Sequence, residues 1–129
     1  MHDKRDISFG AGEVAGVLDT LGDRDLDGVE FGVVRMDRGG DVVSYNMAES
    51  RLSGLDKEAV IGQNFFVQVA PCTNNFLVSQ RYQDSDELDE TLEYVFTYRM
   101  VPTPVRLRLL KRRESHYQYL LVETHVHND

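Results

Sequence analysis

Cys72, in the stretch VAPCT, is the single cysteine of this 129-residue chain. One thiol can form neither an intramolecular disulfide nor a cysteine-based zinc site. The plain reading of a free cysteine is a small, inert hydrophobe. A catalytic reading needs a base within reach. The four histidines, His2, His116, His125 and His127, lie near the termini or in the last turn, which does not support a Cys–His pair. His125 and His127 could place two metal ligands on one strand face, but a solvated C-terminal tail is the simpler reading. A second candidate pair is Tyr45 and Glu49, the first ending an expected strand and the second in the following helix. Asn46-x-x-Glu49 also fits a capping box, in which the carboxylate reaches back to the N–H of the cap residue. Tyr45 alone reads as a core aromatic with a satisfied hydroxyl. Phe96, Tyr98 and Met100, alternate residues of one strand, read as sheet-on-helix packing.

The elements that must position these residues follow from periodicity. Residues 11–21, AGEVAGVLDTL, place Val14, Val17, Leu18 and Leu21 on one helical face, in a short element weakened by glycine. GDRDLDG reads as a loop. VEFGVVRMD and DVVSYN are β-branched runs joined by RGG, a hairpin signature. NMAESRLSG predicts a helix with Asn46 as N-cap and Gly54 as stop, and DKEAVIG repeats the design with Asp56 and Gly62. NFFVQVAPC predicts a third helical turn, broken by Pro71. Residues 75–92 read as a longer, partly amphipathic stretch ending in the acidic run DSDELDE. EYVFTYRMV alternates as a strand, with Tyr94, Phe96, Tyr98 and Met100 on one face and Glu93, Val95, Thr97 and Arg99 on the other. TPVRLRLL and YQYLLVETHV continue as strands. The order predicts an α+β domain on an antiparallel sheet of about five strands, with short helices grouped on one face.

A chain of this length is one domain that can bury one core. No apolar run approaches the roughly 20 residues of a membrane span. The N-terminal MHDKRDISFG has no apolar core of a secretory signal. The expectation is a soluble, cytoplasmic protein without a metal. A formal net charge of −8 argues against nucleic acid or an anionic membrane as the main partner, since both are polyanions. The basic exception, RLRLLKRR, carries Arg106, Arg108, Lys111, Arg112 and Arg113. It reads as the wet face of a strand followed by a charged turn, rather than a docking patch.

YNMAES, GQNFFVQVAPCT and EYVFTYRMVPTPV closely resemble the photoactive yellow protein family, and the similarity runs from LDGVEFG at 26–32 to YLLV at 119–122. The resemblance implies a PAS-type fold, with residues 1–28 as an N-terminal cap and 29–129 as the core that holds a chromophore pocket. It implies a blue-light photoreceptor, not an enzyme. Its cofactor would be p-coumaric acid (4-hydroxycinnamic acid), joined by a thioester to Cys72. Tyr45 and Glu49 match the two side chains that hydrogen-bond the chromophore's buried phenolate. Ser53 stands where the family often has a threonine that supports the tyrosine. Phe65, Pro71, Phe96, Tyr98 and Met100 match pocket residues, the last linked to thermal return of the isomerised chromophore. Leu55 replaces the usual arginine, and Tyr119 stands where a tryptophan is frequent. The segment between Cys72 and Tyr94 is a few residues shorter than the family pattern. The expected partner is a downstream signalling protein, with the receptor itself a monomer.

These residue types suit that chemistry. A thioester needs a thiol, which accounts for a lone cysteine. A buried anion is costly unless hydrogen-bonded or paired. Glu49 must be protonated to donate, and burial beside a negative charge favours that form. Two other readings use the same residues. One is a PAS module that binds a partner or an untethered ligand and uses Cys72 for packing. The other is a thiol enzyme, which would need a low thiol pKa.

Overall fold

A computed structural model describes residues 7–97 and 101–124. Within them lie five strands: β1 (Gly32–Asp37), β2 (Val42–Tyr45), β3 (Leu88–Phe96), β4 (Thr103–Lys111) and β5 (Tyr117–Thr124). They form one antiparallel sheet in the order β2-β1-β5-β4-β3, so the last strand in sequence is central. The β1–β2 turn needs Gly40, whose φ of 95° suits glycine. Asp37 Oδ1 closes that turn by accepting from the Gly39 and Asp41 amides.

Alternate residues of the central strands face two different cores. Val34 and Met36 of β1, Leu107 and Leu109 of β4, and Leu120 and Val122 of β5 pack toward the main core. That face is covered by α3 (Met47–Ser53), α4 (Lys57–Val60), one π-helical turn (Phe65–Val69) and α5 (Ser79–Asp84). Val33, Leu110, Tyr119 and Leu121 point the other way. There they meet Phe9, Val14, Leu18, Leu21 and Leu26, carried by α1 (Val14–Asp19), α2 (Asp23–Leu26) and flanking chain. The architecture is the expected α+β arrangement: a five-stranded antiparallel sheet with short helices on one face and an N-terminal segment on the reverse.

Four local expectations change. GDRDLDG is not all loop: Asp23–Leu26 forms a helical turn, with Asp23 and Asp25 in its first turn where acids suit the helix N-terminus. Val17 leaves the apolar face expected for it and is 39% exposed. The acidic run does not end a helix. α5 stops at Asp84, and β3 begins at Leu88 because Leu88–Glu93 pair with Lys111–Arg106 across the sheet. The arginine face of β4 is not wet throughout. Arg108 is 6% exposed beneath the N-terminal segment.

Buried arginines hold that segment down. Arg108 donates to the Phe9 and Ala11 carbonyls at 2.9 and 2.7 Å and grips Asp89 with two 2.8 Å bonds. Arg35 on β1, also 6% exposed, donates to Leu18 O at 2.6 Å and Leu21 O at 2.7 Å, and to the Tyr119 hydroxyl at 3.0 Å. Tyr119 passes the chain on, donating to Asp19 Oδ1 at 2.7 Å. Arg35→Ala would leave three buried oxygens without this donor. It is expected to cost about 2–3 kcal/mol, read by urea unfolding, and to speed proteolytic cleavage within residues 7–28. A stability change within the surface-substitution range of about 0.5 kcal/mol would show that the guanidinium does not anchor the segment.

Candidate functional site

The site is built around the start of α3. Asn46 is the N-cap, in an extended conformation, and the helix stops at Gly54, whose φ of 80° suits glycine. The Asn46 side chain is buried and uses all its capacity. Its Oδ1 accepts from Val33 N at 2.9 Å and Glu49 N at 3.0 Å, and its Nδ2 donates to Leu26 O and Phe31 O. The Asn46 N–H is engaged by Val33 O at 3.2 Å. The capping-box reading of Glu49 is thereby displaced, because β1 takes the amide that the carboxylate would have reached. Glu49 is instead 0% exposed, facing inward one turn after the cap.

Tyr45 ends β2 beside it and is 1% exposed. Its hydroxyl donates to Ser53 Oγ at 2.9 Å, and Ser53 Oγ also accepts from the Leu55 amide at 3.1 Å. The Tyr45 phenol is held far above the usual range, first by burial and then by the Glu49 carboxylate, with the Ser53 bond opposing. Tyr45 is therefore an O–H donor at every ordinary pH. Leu55, half-buried, packs on the main core through its side chain.

Cys72 arrives by a different route. Asn64 caps the π-helical turn, its Oδ1 accepting from Phe66 N and Val67 N. The turn closes with a wide Ala70 N to Phe65 O bond of 2.7 Å. Such π-turns recur at functional sites. Pro71 forces Ala70 out of helical geometry (φ −134°, ψ 71°) and opens a 3₁₀ turn, Pro71–Thr73. Thr73 ties this turn back through its hydroxyl to Ala70 O at 2.7 Å. The Cys72 carbonyl accepts from the Tyr94 hydroxyl and from Asn75 Nδ2 at 3.0 Å, so β3 anchors the turn. Cys72 is a half-buried free thiol packed against the main core.

That core gathers most of the residues singled out from sequence. Tyr45, Phe65 and Phe96 belong to it, Cys72 and Leu55 border it, and Glu49 and Ser53 are buried alongside Tyr45. Pro71 is exposed and shapes the backbone rather than lining the interior. Tyr98 and Met100 lie outside the described residues, as do His2, His125 and His127. Three participants were missed. Asn75 and Tyr94 fix the Cys72 turn, and nothing in their spacing announces it. Gly32 lies against Glu49: a Cβ there would stand 2.2 Å from Glu49 Oε1. A glycine inside a β-branched run was the available signal for that close approach. Among the described residues no cluster of three His, Cys, Asp or Glu could hold a metal ion, and no helix is long and apolar enough to cross a membrane.

The donor set fits the expected chromophore. A phenolate in a protein interior needs O–H donors that do not themselves ionise first. Tyr45 meets that requirement, and the neighbouring Glu49 carboxyl is fully withdrawn from water. A free thiol borders the same core.

Comparison with known proteins points the same way. The chain is 37% identical over 108 residues to the photoactive yellow protein of Halochromatium salexigens, covering 81% of this chain and 86% of that protein. It superposes on the photoactive yellow protein domain of the sensor histidine kinase Ppr from Rhodospirillum centenum with a TM-score of 0.78 at 37% identity. That match covers 84% of this chain and 98% of that domain. The PAS domain of an HTR-like protein from Haloarcula marismortui shares the fold at 16% identity, with a TM-score of 0.58 over 85% of this chain and 94% of that one. No family model matches the chain.

Proposed function

This chain belongs to the photoactive yellow protein family, and on that premise we propose that it is a blue-light photoreceptor carrying p-coumaric acid as a thioester on Cys72. The observation that carries this reading is the burial of the Tyr45 hydroxyl and the Glu49 carboxyl together, in the core that Cys72 borders. When bound, the p-coumaroyl group supplies visible absorption and light-driven trans-to-cis isomerisation.

The residues of the chain do the rest. Cys72 Sγ holds the group covalently. Tyr45 and Glu49 donate to its phenolate oxygen. For Tyr45 to do so, its proton must turn away from Ser53. Ser53 can support that, because the Leu55 amide already occupies one acceptor site on Oγ and leaves the serine proton free to point at Tyr45 Oη. Phe65 and Phe96 exclude water around the donors. Pro71 sets the 3₁₀ turn that carries the thiol. Glu49 would hold a proton on its carboxyl in the resting protein and, after illumination, pass it to the phenolate oxygen of the bound group. The carboxylate left behind is a buried charge, which costs several kcal/mol. Against a total stability of about 5–15 kcal/mol, that unlocks local packing without unfolding the domain. Residues 1–28 act as a detachable cap on the core formed by 29–129.

The relative within a sensor histidine kinase supports a downstream signalling protein as partner and a receptor rather than an enzymatic role. The charge of −8 disfavours nucleic acid and anionic membranes. A monomeric receptor in the cytoplasm accords with these features. The test is to add activated p-coumaric acid to the purified protein. The expected product gains one coumaroyl mass and a visible band that bleaches under blue light and returns in darkness. An adduct whose band does not respond to light would favour a PAS module that merely binds.

A further inference from the structure

We propose that Gly32 is a positioning residue for Glu49: the bare backbone of β1 at this point sets where the carboxyl sits. The inference rests on the reading of Glu49 as a chromophore partner and goes one residue beyond it. A Cβ on Gly32 would stand 2.2 Å from Glu49 Oε1, 3.2 Å from Cδ and 3.3 Å from Cβ. Backbone conformation does not explain this glycine. It is not among the positive-φ glycines, Gly40, Gly54 and Gly62. It also pairs in ordinary antiparallel register with Val122, and glycine weakens a strand interior. Room for the acid is the remaining physical reason.

The helix cannot simply move away to make room. Asn46 locks the first turn of α3 to β1 at the very next residue, Oδ1 accepting from Val33 N and Asn46 N donating to Val33 O. Its amide nitrogen holds Leu26 O and Phe31 O, and its Oδ1 also holds Glu49 N. Lifting α3 would break this buried set. An added methyl must therefore be absorbed by the Glu49 side chain, whose carboxyl end is the flexible part. The expected result is a folded protein with a displaced acid.

The test compares Gly32→Ala, Glu49→Gln, Glu49→Asp and Gly32→Ala/Glu49→Asp in the full chain, each with and without the coumaroyl group. Without it, the infrared carboxyl stretch of Glu49, identified by its loss in Glu49→Gln, should move in Gly32→Ala. With it, Gly32→Ala should shift the dark band in the same direction as Glu49→Gln and raise the apparent pKa of the chromophore by about one unit. A merely structural glycine would lower thermal stability and leave these signatures in place. Parental carboxyl stretch and parental band in Gly32→Ala would overturn the proposal. If Glu49→Gln leaves the band unmoved, the chromophore role of Glu49 falls, while the infrared shift still decides what Gly32 does. If Gly32→Ala folds poorly, the double variant decides. Asp is one methylene shorter, so the alanine should cost less stability on Glu49→Asp than on the parent. Equal cost on both would show that the methyl meets something other than the acid, and would sink the idea.

Discussion

Cys72→Ala is expected to abolish loading of activated p-coumaric acid completely, with intact-mass measurement showing the parent mass and no visible band. The chain offers no second thiol, and only a thiolate is a strong acyl acceptor under mild conditions. Loss of loading should not be confused with loss of fold. The side chain borders the main core without filling it, so removing one sulfur should cost about 1 kcal/mol, near the centre of the distribution for point variants. The turn itself is held by the Cys72 carbonyl and the Thr73 hydroxyl, neither of which the substitution touches. A stable coumaroyl adduct on the folded alanine variant would remove Cys72 from the site.

The second large effect is spectral. Glu49→Gln replaces an acid donor with a weaker amide donor at a position with 0% exposure. The phenolate ground state concentrates charge on its oxygen and loses more stabilisation than the delocalised excited state, so the dark band should move to the red. With the proposed phenolate bound, Tyr45→Phe would remove a hydrogen bond to a charged group, worth about 1.5–3 kcal/mol, or about one to two pKa units at 1.36 kcal/mol each. The sign is upward, because the anion loses a donor and the neutral phenol gains ground. On acidification the visible band should therefore fade at a higher pH in Tyr45→Phe than in the parent. In the loaded protein the variant also leaves the Ser53 hydroxyl without Tyr45 Oη as its acceptor, its Oγ still accepting from the Leu55 amide, so some stability should be lost with it. Absorption titrations of both variants provide the check. An unmoved band in both would leave Glu49 and Tyr45 as buried packing residues.

Much of the scaffold around these residues was legible because its signals are local. Asn46 and Gly54 bracket α3 as their types demand: one side chain accepts the Glu49 amide, and one backbone adopts φ 80°. Pro71 breaks the helical turn before Cys72 for the same kind of reason. The alternation of Tyr94 with Phe96 against Glu93 with Val95 survives in the burial of β3. Family resemblance, rather than periodicity, connected Tyr45, Glu49 and Cys72, since nothing in helix or strand spacing says that two distant segments border one core.

Where the sequence misled, partners far along the chain decided. DSDELDE has little strand propensity, yet Leu88–Glu90 join β3 because Leu109–Lys111 offer paired backbone and Arg108 offers Asp89 a bidentate grip. Arg108 reads as solvent-facing until Phe9 and Ala11 bring carbonyls to it, and Leu18 and Leu21 bring theirs to Arg35. Gly32 within FGVV signals a close approach to the strand, but that Glu49 is what approaches is set by α3. The sequence by itself determined the local geometry: which residues cap, turn, alternate and break, because those preferences act over a few bonds. The tertiary structure alone decided which strand is central and which arginines are covered. Those outcomes depend on burial and hydrogen bonds between segments up to about a hundred residues apart, such as Arg108 with Phe9, and short-range pattern carries no information about such pairings.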